Sequence, residues 1–152
     1  MLVSLLFNPP IATLTVTVNK ARELMVKDLS TGRNDNCTDD LLNMPAFRPT
    51  VYIKVSLYVG KKRVGSKKSP VRKAYSFVEF NDSFHVHVKD SAIDNVNIVI
   101  SLIGRSSIGL NAKHNLGKIY IGENCFSSDG TNHYAEMLKD KGNPVVKWHT
   151  LV

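Results

Sequence analysis

The chain has 152 residues, of which 43% are hydrophobic and 22% are charged, and its formal net charge is +7. This length and composition predict one globular domain, residues 1–152, that is large enough to bury a core of its own. No apolar run reaches about 18 residues, which excludes a membrane-spanning helix. We expect no signal peptide, because the first residues lack a basic flank.

Short β-branched or aromatic segments follow one another along the chain, mostly with period-two alternation and with turn residues between them. They predict β-strands. The segments are 3–7, 12–18, 50–59, 83–88, 96–103, 117–122 and 145–152. "KRVGSKK" (62–68) and "SFVEF" (76–80) are further strand candidates, which makes about eight strands, a pattern that is typical of a β-sandwich.

One segment has the period of a helix. In "NHYAEMLKD" (132–140), Tyr134, Met137 and Leu138 recur at i, i+3 and i+4, and Gly142 follows with a proline two residues later as stop signals. A single helix late in a chain of strands is an insertion between strands, so the predicted class remains all-β.

Residues 28–49 have no strand period and contain Asp, Asn, Gly and Pro throughout. Segments of this length without structure are usually functional or disordered, so we expect a flexible insertion at about 29–49. Its carboxylates are hard oxygen ligands of the kind that bind calcium, but their spacing does not fit an EF-hand, and a solvated loop is the favoured interpretation. They are Asp28, Asp35, Asp39 and Asp40.

No arrangement of residues points to an enzyme. His85 and His87 lie two apart on a predicted strand and could hold zinc or copper from one face, but no third ligand accompanies them. No Ser or Cys lies in a nucleophile motif, and Cys37 and Cys125 have no metal-ligand spacing. We therefore expect no catalytic residue.

Residues 60–73, "GKKRVGSKKSPVRK", hold the excess positive charge of the chain. Seven of these fourteen residues are basic and none is acidic, and the rest of the chain has equal numbers of basic and acidic side chains. The basic residues are Lys61, Lys62, Arg63, Lys67, Lys68, Arg72 and Lys73. If the chain is extended here, alternation places Lys61, Arg63 and Lys67 on one face, and the other basic side chains of the strand on the opposite face.

This row of cations suits membrane phosphates, since each basic residue near anionic lipid contributes roughly 1 kcal/mol. Binding through these charges would be sensitive to salt. From the residues alone, three other interpretations remain open: nucleic acid bound by counterion release, a nuclear localisation signal, and a solvated edge strand whose lysines prevent aggregation.

Four segments carry the pattern of a known family. "LVSLLFNPPIATLTVTVNKARELMVKD" (2–28) is similar to its opening, and "VYIKVSLYVGKKRVGSKKS" (51–69) to its Y-V-K strand and the polybasic strand that follows. "FNDSFHVHV" (80–88) is similar to its F-N-E-S-F strand, and "HYAEMLKDKGNPVVKWHTLV" (133–152) to its helix and terminal W-H-x-L. Nearly the whole chain thus resembles the second, membrane-distal C2 domain of the synaptotagmins.

This resemblance implies an eight-stranded C2 β-sandwich of Greek-key topology, with one short helix inserted before the last strand. It also implies binding of phospholipid and effector proteins, and a role in vesicle traffic or exocytosis. Lys67 and Lys68 match the last two lysines of the polybasic strand of the family, whereas Gly65 and Ser66 replace the first two.

The resemblance places calcium ligands at five aspartate positions of the family, and most of these aspartates are lost here. Asp28 matches the first position. The other positions fall at or near Thr50, Gly104, Ser106 and His114. Arg105 would add a positive charge where the ion should lie. Calcium takes about six to eight oxygen ligands, so we expect no metal and no other cofactor.

We therefore predict a calcium-independent C2 domain that binds anionic phospholipids, namely phosphoinositides and phosphatidylserine. The residues expected to contact the lipid are Lys61, Lys62, Arg63, Lys67 and Lys68, extended by Arg72 and Lys73. SNARE and clathrin-adaptor proteins are candidate protein partners, weak self-association is a further candidate property, and no nucleic acid is expected. The resemblance places the domain at the cytoplasmic face of a vesicle or of the plasma membrane, within a larger membrane-anchored protein.

Two alternatives belong to other functional classes. One is a protein-interaction module without lipid affinity, in which Trp148, His149 and the helix around Tyr134 and Met137 support a docking face. The other is a residual calcium-dependent phospholipid sensor that uses Asp28 together with the insertion. Binding that survives high salt would favour the first alternative, and a rise in melting temperature with calcium would favour the second.

Overall fold

The computed structural model of the chain describes residues 1–22, 50–105 and 113–152. Its regular elements are β1 (Leu2–Asn8), β2 (Thr13–Arg22), β3 (Thr50–Val59), β4 (Lys62–Lys68), β5 (Arg72–Lys73), β6 (Phe77–His87), β7 (Val96–Arg105), β8 (Lys113–Gly122), α1 (Ser128–Lys139) and β9 (Val145–Trp148). Two short 3-10 helices, Pro9–Ile11 and Asp90–Asn95, precede β2 and β7. Of the nine strands in the described ranges, eight have at least four residues and β5 has two.

The strands form two antiparallel sheets that face each other. The first sheet has the order β6-β2-β1-β9, and the second has the order β4-β3-β7-β8, with β5 paired to β3. The predicted all-β sandwich with one helix before the last strand is confirmed. The insertion predicted at about 29–49 lies outside the described residues.

Alternating side chains of both sheets fill the space between them. On β1, Val3, Leu5 and Phe7 have no exposed surface, while the residues between them are half-buried. β7 of the second sheet repeats this alternation from Ile98 to Leu102. Full burial of each such side chain stabilises the fold by about 1.5–3 kcal/mol. The period-two pattern therefore decides which side chains of each strand point outward.

Helix α1 closes the side of the sandwich where β8 and β9 are the edge strands, and it packs on both of them and on β1. Ser127 caps its first turn, because its Oγ accepts a 3.3 Å hydrogen bond from the Gly130 N–H. Tyr134 and Met137 are fully buried, and the Tyr134 hydroxyl donates a 2.6 Å hydrogen bond to the Ile93 carbonyl. These contacts hold the helix against both sheets.

Two element boundaries differ from the sequence prediction. α1 begins at Ser128 rather than at residue 132, because its first turn is polar and has no apolar period. β6 is one strand where the sequence indicated two short ones. Asn81, with a φ of 49°, lies where the pairing with β2 changes register, so a bulge bends this strand without ending it.

Candidate anion-binding face

The positive charge of the chain is concentrated in the second sheet. Its five strands contain ten basic residues and no acidic residue. The basic residues are Lys54, Lys62, Arg63, Lys67, Lys68, Arg72, Lys73, Arg105, Lys113 and Lys118. The strands of the first sheet contain three basic and two acidic residues, so the two sheets differ strongly in charge.

Three lysines form a row across the outer face of the second sheet. The odd-numbered side chains of β3 from Val51 to Leu57 are buried and point to the core. Lys54, at an even position, therefore points outward. In the pairing register Lys54 lies opposite Lys68 of β4 on one side and opposite Ser101 of β7 on the other, and Ser101 lies opposite Lys118 of β8. Directly opposite residues share a face. We call Lys68, Lys54 and Lys118 the lysine row.

A second set of cations lies on the same face, nearer the end of the sheet where β7 ends. Thr50 at the start of β3 lies opposite Lys73 of β5 and opposite Arg105 of β7, and Arg105 in turn lies opposite Lys113 of β8. Thr50 is four residues from Lys54, so the two sets are about 13 Å apart along the strand. Both sets face the same way.

This face is suited to a ligand with several negative charges. Adjacent strands are about 4.8 Å apart, so Lys68 and Lys54 bring two ammonium groups close together. None of the three lysines of the row has an acidic partner within salt-bridge distance among the described residues. Like charges opposite each other repel, and an anion that bridges them relieves the repulsion.

A bulge in β4 changes which predicted residues belong to this face. The register between β3 and β4 shifts so that Arg63 lies opposite Tyr58, while Lys67 lies opposite the buried Val55. Arg63 and Lys68 therefore point outward, and Lys67 points to the inner side of the edge strand. The expected grouping of Lys61, Arg63 and Lys67 on one face is wrong, because the bulged residue Val64 reverses the alternation.

Two of the predicted cations instead connect the sheets along the open edge between β4 and β6. The ammonium group of Lys67 donates a 3.2 Å hydrogen bond to the His85 carbonyl of β6. Arg72 Nη2 donates to the Phe80 carbonyl at 2.8 Å and lies 3.0 and 3.1 Å from the two carboxylate oxygens of Asp82. Asp82 neutralises Arg72, which is thus a structural residue rather than part of the outer face.

Of the remaining predicted cations, Lys61 lies in the turn between β3 and β4, and Lys62 is the first residue of β4. Gly60 makes this turn possible with a φ of 58°, and both lysines are exposed. Lys54, Lys113 and Lys118 are absent from the set predicted from the sequence. Strand alternation alone places Lys54 and Lys118 on an outer face. The residues that lie beside them on neighbouring strands depend on the pairing register, which the sequence does not show.

The positions that match calcium ligands of the synaptotagmins are partly described. Thr50 begins β3, and Gly104 lies opposite His114 in the pair formed by β7 and β8. Asp28 and Ser106 lie outside the described residues. Within the described part of the chain, no group of three or more His, Cys, Asp or Glu residues could hold a metal ion. The expected loss of the calcium site stays a prediction.

The residues named for a protein-docking face divide into one exposed residue and three buried ones. Trp148 is 40% exposed, whereas Tyr134 and Met137 are fully buried and His149 is 5% exposed. A partner can therefore reach Trp148 but not the other three. His85 and His87, which were considered as metal ligands, are exposed on the first sheet, where His85 Nδ1 lies 2.9 Å from Thr15 Oγ1.

Comparison with known proteins finds similarity along most of the chain. Residues 12–147 match the family profile described as "C2 domain". Synaptotagmin-11 of Rattus norvegicus is 30% identical over 149 residues, which are 98% of this chain and 31% of that protein. Synaptotagmin-2 of Homo sapiens is 28% identical over 148 residues, which are 97% of this chain and 31% of that protein. The chain thus spans about a third of the length of these relatives.

Solved structures share the fold at low sequence identity. The third C2 domain of the KIAA1228 protein has a TM-score of 0.59 and 18% identity, and the match covers 100% of this chain and 86% of that one. A C2 domain of RIM from Drosophila has a TM-score of 0.59 and 13% identity, with 84% of this chain and 90% of that one covered. Among the residues that the structure describes, each helix is too short or too polar to span a bilayer.

Proposed function

Because the chain belongs to the C2 domain family, we propose that it is a calcium-independent membrane-binding module that docks on anionic phospholipids, above all phosphoinositides, through the outer face of its second sheet. The observation that carries this proposal is the lysine row, Lys68, Lys54 and Lys118, on a sheet whose strands contain no acidic residue. C2 domains are typically non-enzymatic binding modules, and we propose no catalytic activity for this one.

Phosphoinositides suit this face because one headgroup carries several phosphates. A multivalent headgroup can contact neighbouring lysines of the row at the same time, whereas a phosphatidylserine headgroup offers one carboxylate and one phosphate. Each basic residue near an anionic bilayer contributes roughly 1 kcal/mol, and the contribution is screened by salt. The outward residues Arg63, Lys73 and Arg105 extend the same positive surface toward both ends of the sheet.

The residues near the loop end of the sheet support calcium independence. At the described positions that match calcium ligands, Thr50, Gly104 and His114 offer no carboxylate, and calcium requires about six to eight oxygen ligands. Arg105 adds a positive charge at the same end of β7. A membrane contact made of basic side chains needs no metal ion to bridge it to phosphate.

The likeness to synaptotagmins supports a setting in vesicle traffic or exocytosis, with the domain at the cytoplasmic face of a vesicle or the plasma membrane. We propose that it belongs to a larger membrane-anchored protein as a second C2 domain. SNARE and clathrin-adaptor proteins are the proposed protein partners, and weak self-association through the domain is a further proposal. Nucleic acid is not a proposed ligand.

Co-sedimentation with vesicles tests the membrane proposal. Vesicles of phosphatidylcholine with phosphatidylserine and phosphatidylinositol bisphosphate are mixed with the native chain, in calcium and in chelator. We expect equal binding in both conditions and a loss of binding as salt rises. The variant Lys54→Gln/Lys68→Gln should lose most of this binding.

A matched control removes the same charge elsewhere. Lys89 and Lys139 are exposed and lie outside the second sheet, so Lys89→Gln/Lys139→Gln should bind vesicles nearly as well as the native chain. Equal losses in the two double variants would contradict a specific face, because only net charge would then matter. Binding that requires calcium would contradict calcium independence, and absence of binding would refute the membrane proposal.

A further inference from the structure

The hydroxyl group of Ser66 lies on the outer face of the second sheet, beside the lysine row. In the register of β4 and β3, Ser66 lies opposite Ser56, two residues along each strand from the pair formed by Lys68 and Lys54. Residues two apart on a strand share a face, so Ser66 points outward as Lys68 does. The Cβ atom of Ser66 is therefore about 7 Å from those of the two lysines.

This hydroxyl is accessible, in contrast to those of the neighbouring serines. Ser66 is exposed, and its Oγ lies 3.3 Å from that of Ser56, which is longer than the usual distance of about 2.7–2.8 Å between hydrogen-bonded hydroxyls. Ser56 and Ser69 are buried, and the Ser69 Oγ also accepts a hydrogen bond from the Ile53 N–H. Ser101 belongs to β7, which has a partner strand on each side. Of these four serines, Ser66 is the one that another protein can reach.

The strand that carries Ser66 is held weakly in its sheet. β4 is an edge strand, and its partner in the described ranges is β3. A bulge at Val64 interrupts this pairing, and Gly65 contributes no side chain to packing. Each residue of Lys62–Lys68 other than Gly65 is exposed. A segment with so few buried contacts opens locally at low cost, and it can then enter the groove of an enzyme that acts on extended peptides.

The charges on both sides of Ser66 match those that basophilic protein kinases select. Arg63 lies three residues before Ser66, and Lys67 and Lys68 directly follow it. Such kinases hold an extended substrate through carboxylates that bind basic side chains a few residues from the acceptor, and a guanidinium pairs with a carboxylate through two parallel hydrogen bonds. Residues 60–73 contain no acidic side chain that would repel such a groove.

We propose that Ser66 is the acceptor of a basophilic serine kinase and that its phosphorylation releases the second sheet from anionic membranes. The release rests on the proposed function, whereas the modification does not. In the reaction the Ser66 oxygen attacks the γ-phosphorus of ATP, the bond from that phosphorus to the β-phosphate oxygen breaks, and ADP leaves. The hydroxyl proton passes to the catalytic base of the kinase.

The new phosphate would occupy the site that a lipid headgroup needs. A phosphoserine carries a charge of about −1.5 to −2 at pH 7 and has three strong acceptor oxygens. The ammonium groups of Lys54 and Lys68 are within reach of these oxygens, so the lysine row would bind the phosphate of its own chain. One phosphate offsets about two basic residues, so vesicle binding should weaken roughly tenfold to thirtyfold.

Treatment with a kinase tests the modification. The native chain is incubated with ATP, magnesium and the catalytic subunit of cyclic-AMP-dependent protein kinase, a basophilic enzyme, and mass spectrometry locates the phosphate. We expect phosphate on Ser66 in the folded chain. Arg63→Gln should slow this reaction about tenfold, because the kinase loses a charged hydrogen-bonded contact. Lys113→Gln removes the same charge from the same face outside the recognised segment, so it should react as the native chain does.

Co-sedimentation measures the consequence for membrane binding. The native chain and Ser66→Ala are each tested before and after kinase treatment, with vesicles that contain phosphatidylserine and phosphatidylinositol bisphosphate. We expect the treatment to weaken binding of the native chain roughly tenfold or more and to leave the binding of Ser66→Ala unchanged. Ser66→Ala controls for phosphate on other serines, such as Ser76, which follows the basic residues 72–73. Removal of the phosphate by a phosphatase should restore the original binding.

Three results would overturn the proposal. The first is a folded chain without phosphate on Ser66, whether or not a free peptide of residues 60–73 is phosphorylated. The second is equal vesicle binding before and after phosphorylation of Ser66, and the third is an equal loss of binding in treated Ser66→Ala. The untreated native chain reports the membrane function separately. If it does not bind vesicles, the membrane function and the release both fail, and the phosphate on Ser66 is still measured by mass.

Discussion

His133 of α1 and His149, which directly follows β9, stack on each other and share a 2.7 Å hydrogen bond between Nδ1 of His133 and Nε2 of His149. Nε2 of His133 also lies 2.7 Å from the Val145 carbonyl oxygen, which can only accept. His133 therefore carries its proton on Nε2, and its Nδ1 accepts from the Nε2–H of His149. When both rings are protonated, the two facing nitrogens are both donors, and this connection between the helix and the residue after β9 is lost.

Because of this pair, the stability of the fold should decrease as the pH falls. Burial lowers the pKa of His149 from 6.5 to about 4, and burial also lowers the pKa of His133. As the pH falls, the unfolded chain protonates these two histidines at a higher pH than the folded chain does. The stabilisation is therefore complete above pH 6.5 and is lost as the pH falls toward 4. Urea unfolding should show about 2 kcal/mol less stability at pH 5 than at pH 7 from His149.

Two variants test whether the histidine pair causes this pH dependence. His149→Gln removes the titrating group, so its stability should change much less between pH 7 and pH 5. His114→Gln removes an exposed histidine on β8 and should retain the native dependence. A native chain with constant stability over this range would show that the folded pair binds protons as readily as the unfolded chain does, so that its pKa values are not lowered.

Removal of Arg72 should lower stability without weakening membrane binding. Its guanidinium joins β5 to β6 through Asp82 and the Phe80 carbonyl, and loss of a partly buried charged hydrogen bond costs about 1.5–3 kcal/mol. Arg72→Gln should therefore unfold at lower urea concentration and bind vesicles as the native chain does. A double-mutant cycle with Asp82→Asn measures the coupling. Weaker vesicle binding with unchanged stability would place Arg72 in the lipid contact after all.

Lys118 should contribute to membrane binding although it is far from the basic stretch in the sequence. It completes the lysine row through Ser101, so Lys118→Gln should weaken vesicle binding roughly fivefold, as one basic contact of about 1 kcal/mol does. Lys139→Gln, on the exposed surface of α1, is the control for net charge. If both single variants bind alike, Lys118 is not part of the contact.

Gly130 should be indispensable for the position of α1. A Cβ atom there would collide with the Tyr120 carbonyl oxygen of β8, so Gly130→Ala must displace the helix and should cost about 1–3 kcal/mol. Gly65→Ala is a suitable control, because its nearest contacts would be ordinary ones at 3.7 Å with Val86. Thermal unfolding of both variants measures the difference. Equal melting temperatures would contradict close packing of the helix on β8.

The strands were predictable from the sequence because alternation and burial agree along most of them. β3 has the predicted bounds 50–59, and β7 extends the predicted 96–103 by two residues. The bulges at Val64 and Asn81 were not predictable, since each depends on the register with a neighbouring strand. For the same reason a basic stretch that is continuous in sequence is divided in space. Lys68 joins the face, whereas Lys67 and Arg72 connect the two sheets.

The position of β4 at the edge of the second sheet has a consequence for how copies of the domain meet. An edge strand offers unpaired backbone groups to any other strand of suitable length, and lysines are a common protection against such pairing. Two copies of this edge would repel each other electrostatically, and this repulsion opposes pairing between their β4 strands. Neutralisation of that charge, by substitution or by a bound polyanion, removes the repulsion. The oligomeric state of charge-neutralised variants consequently has to be measured together with their binding.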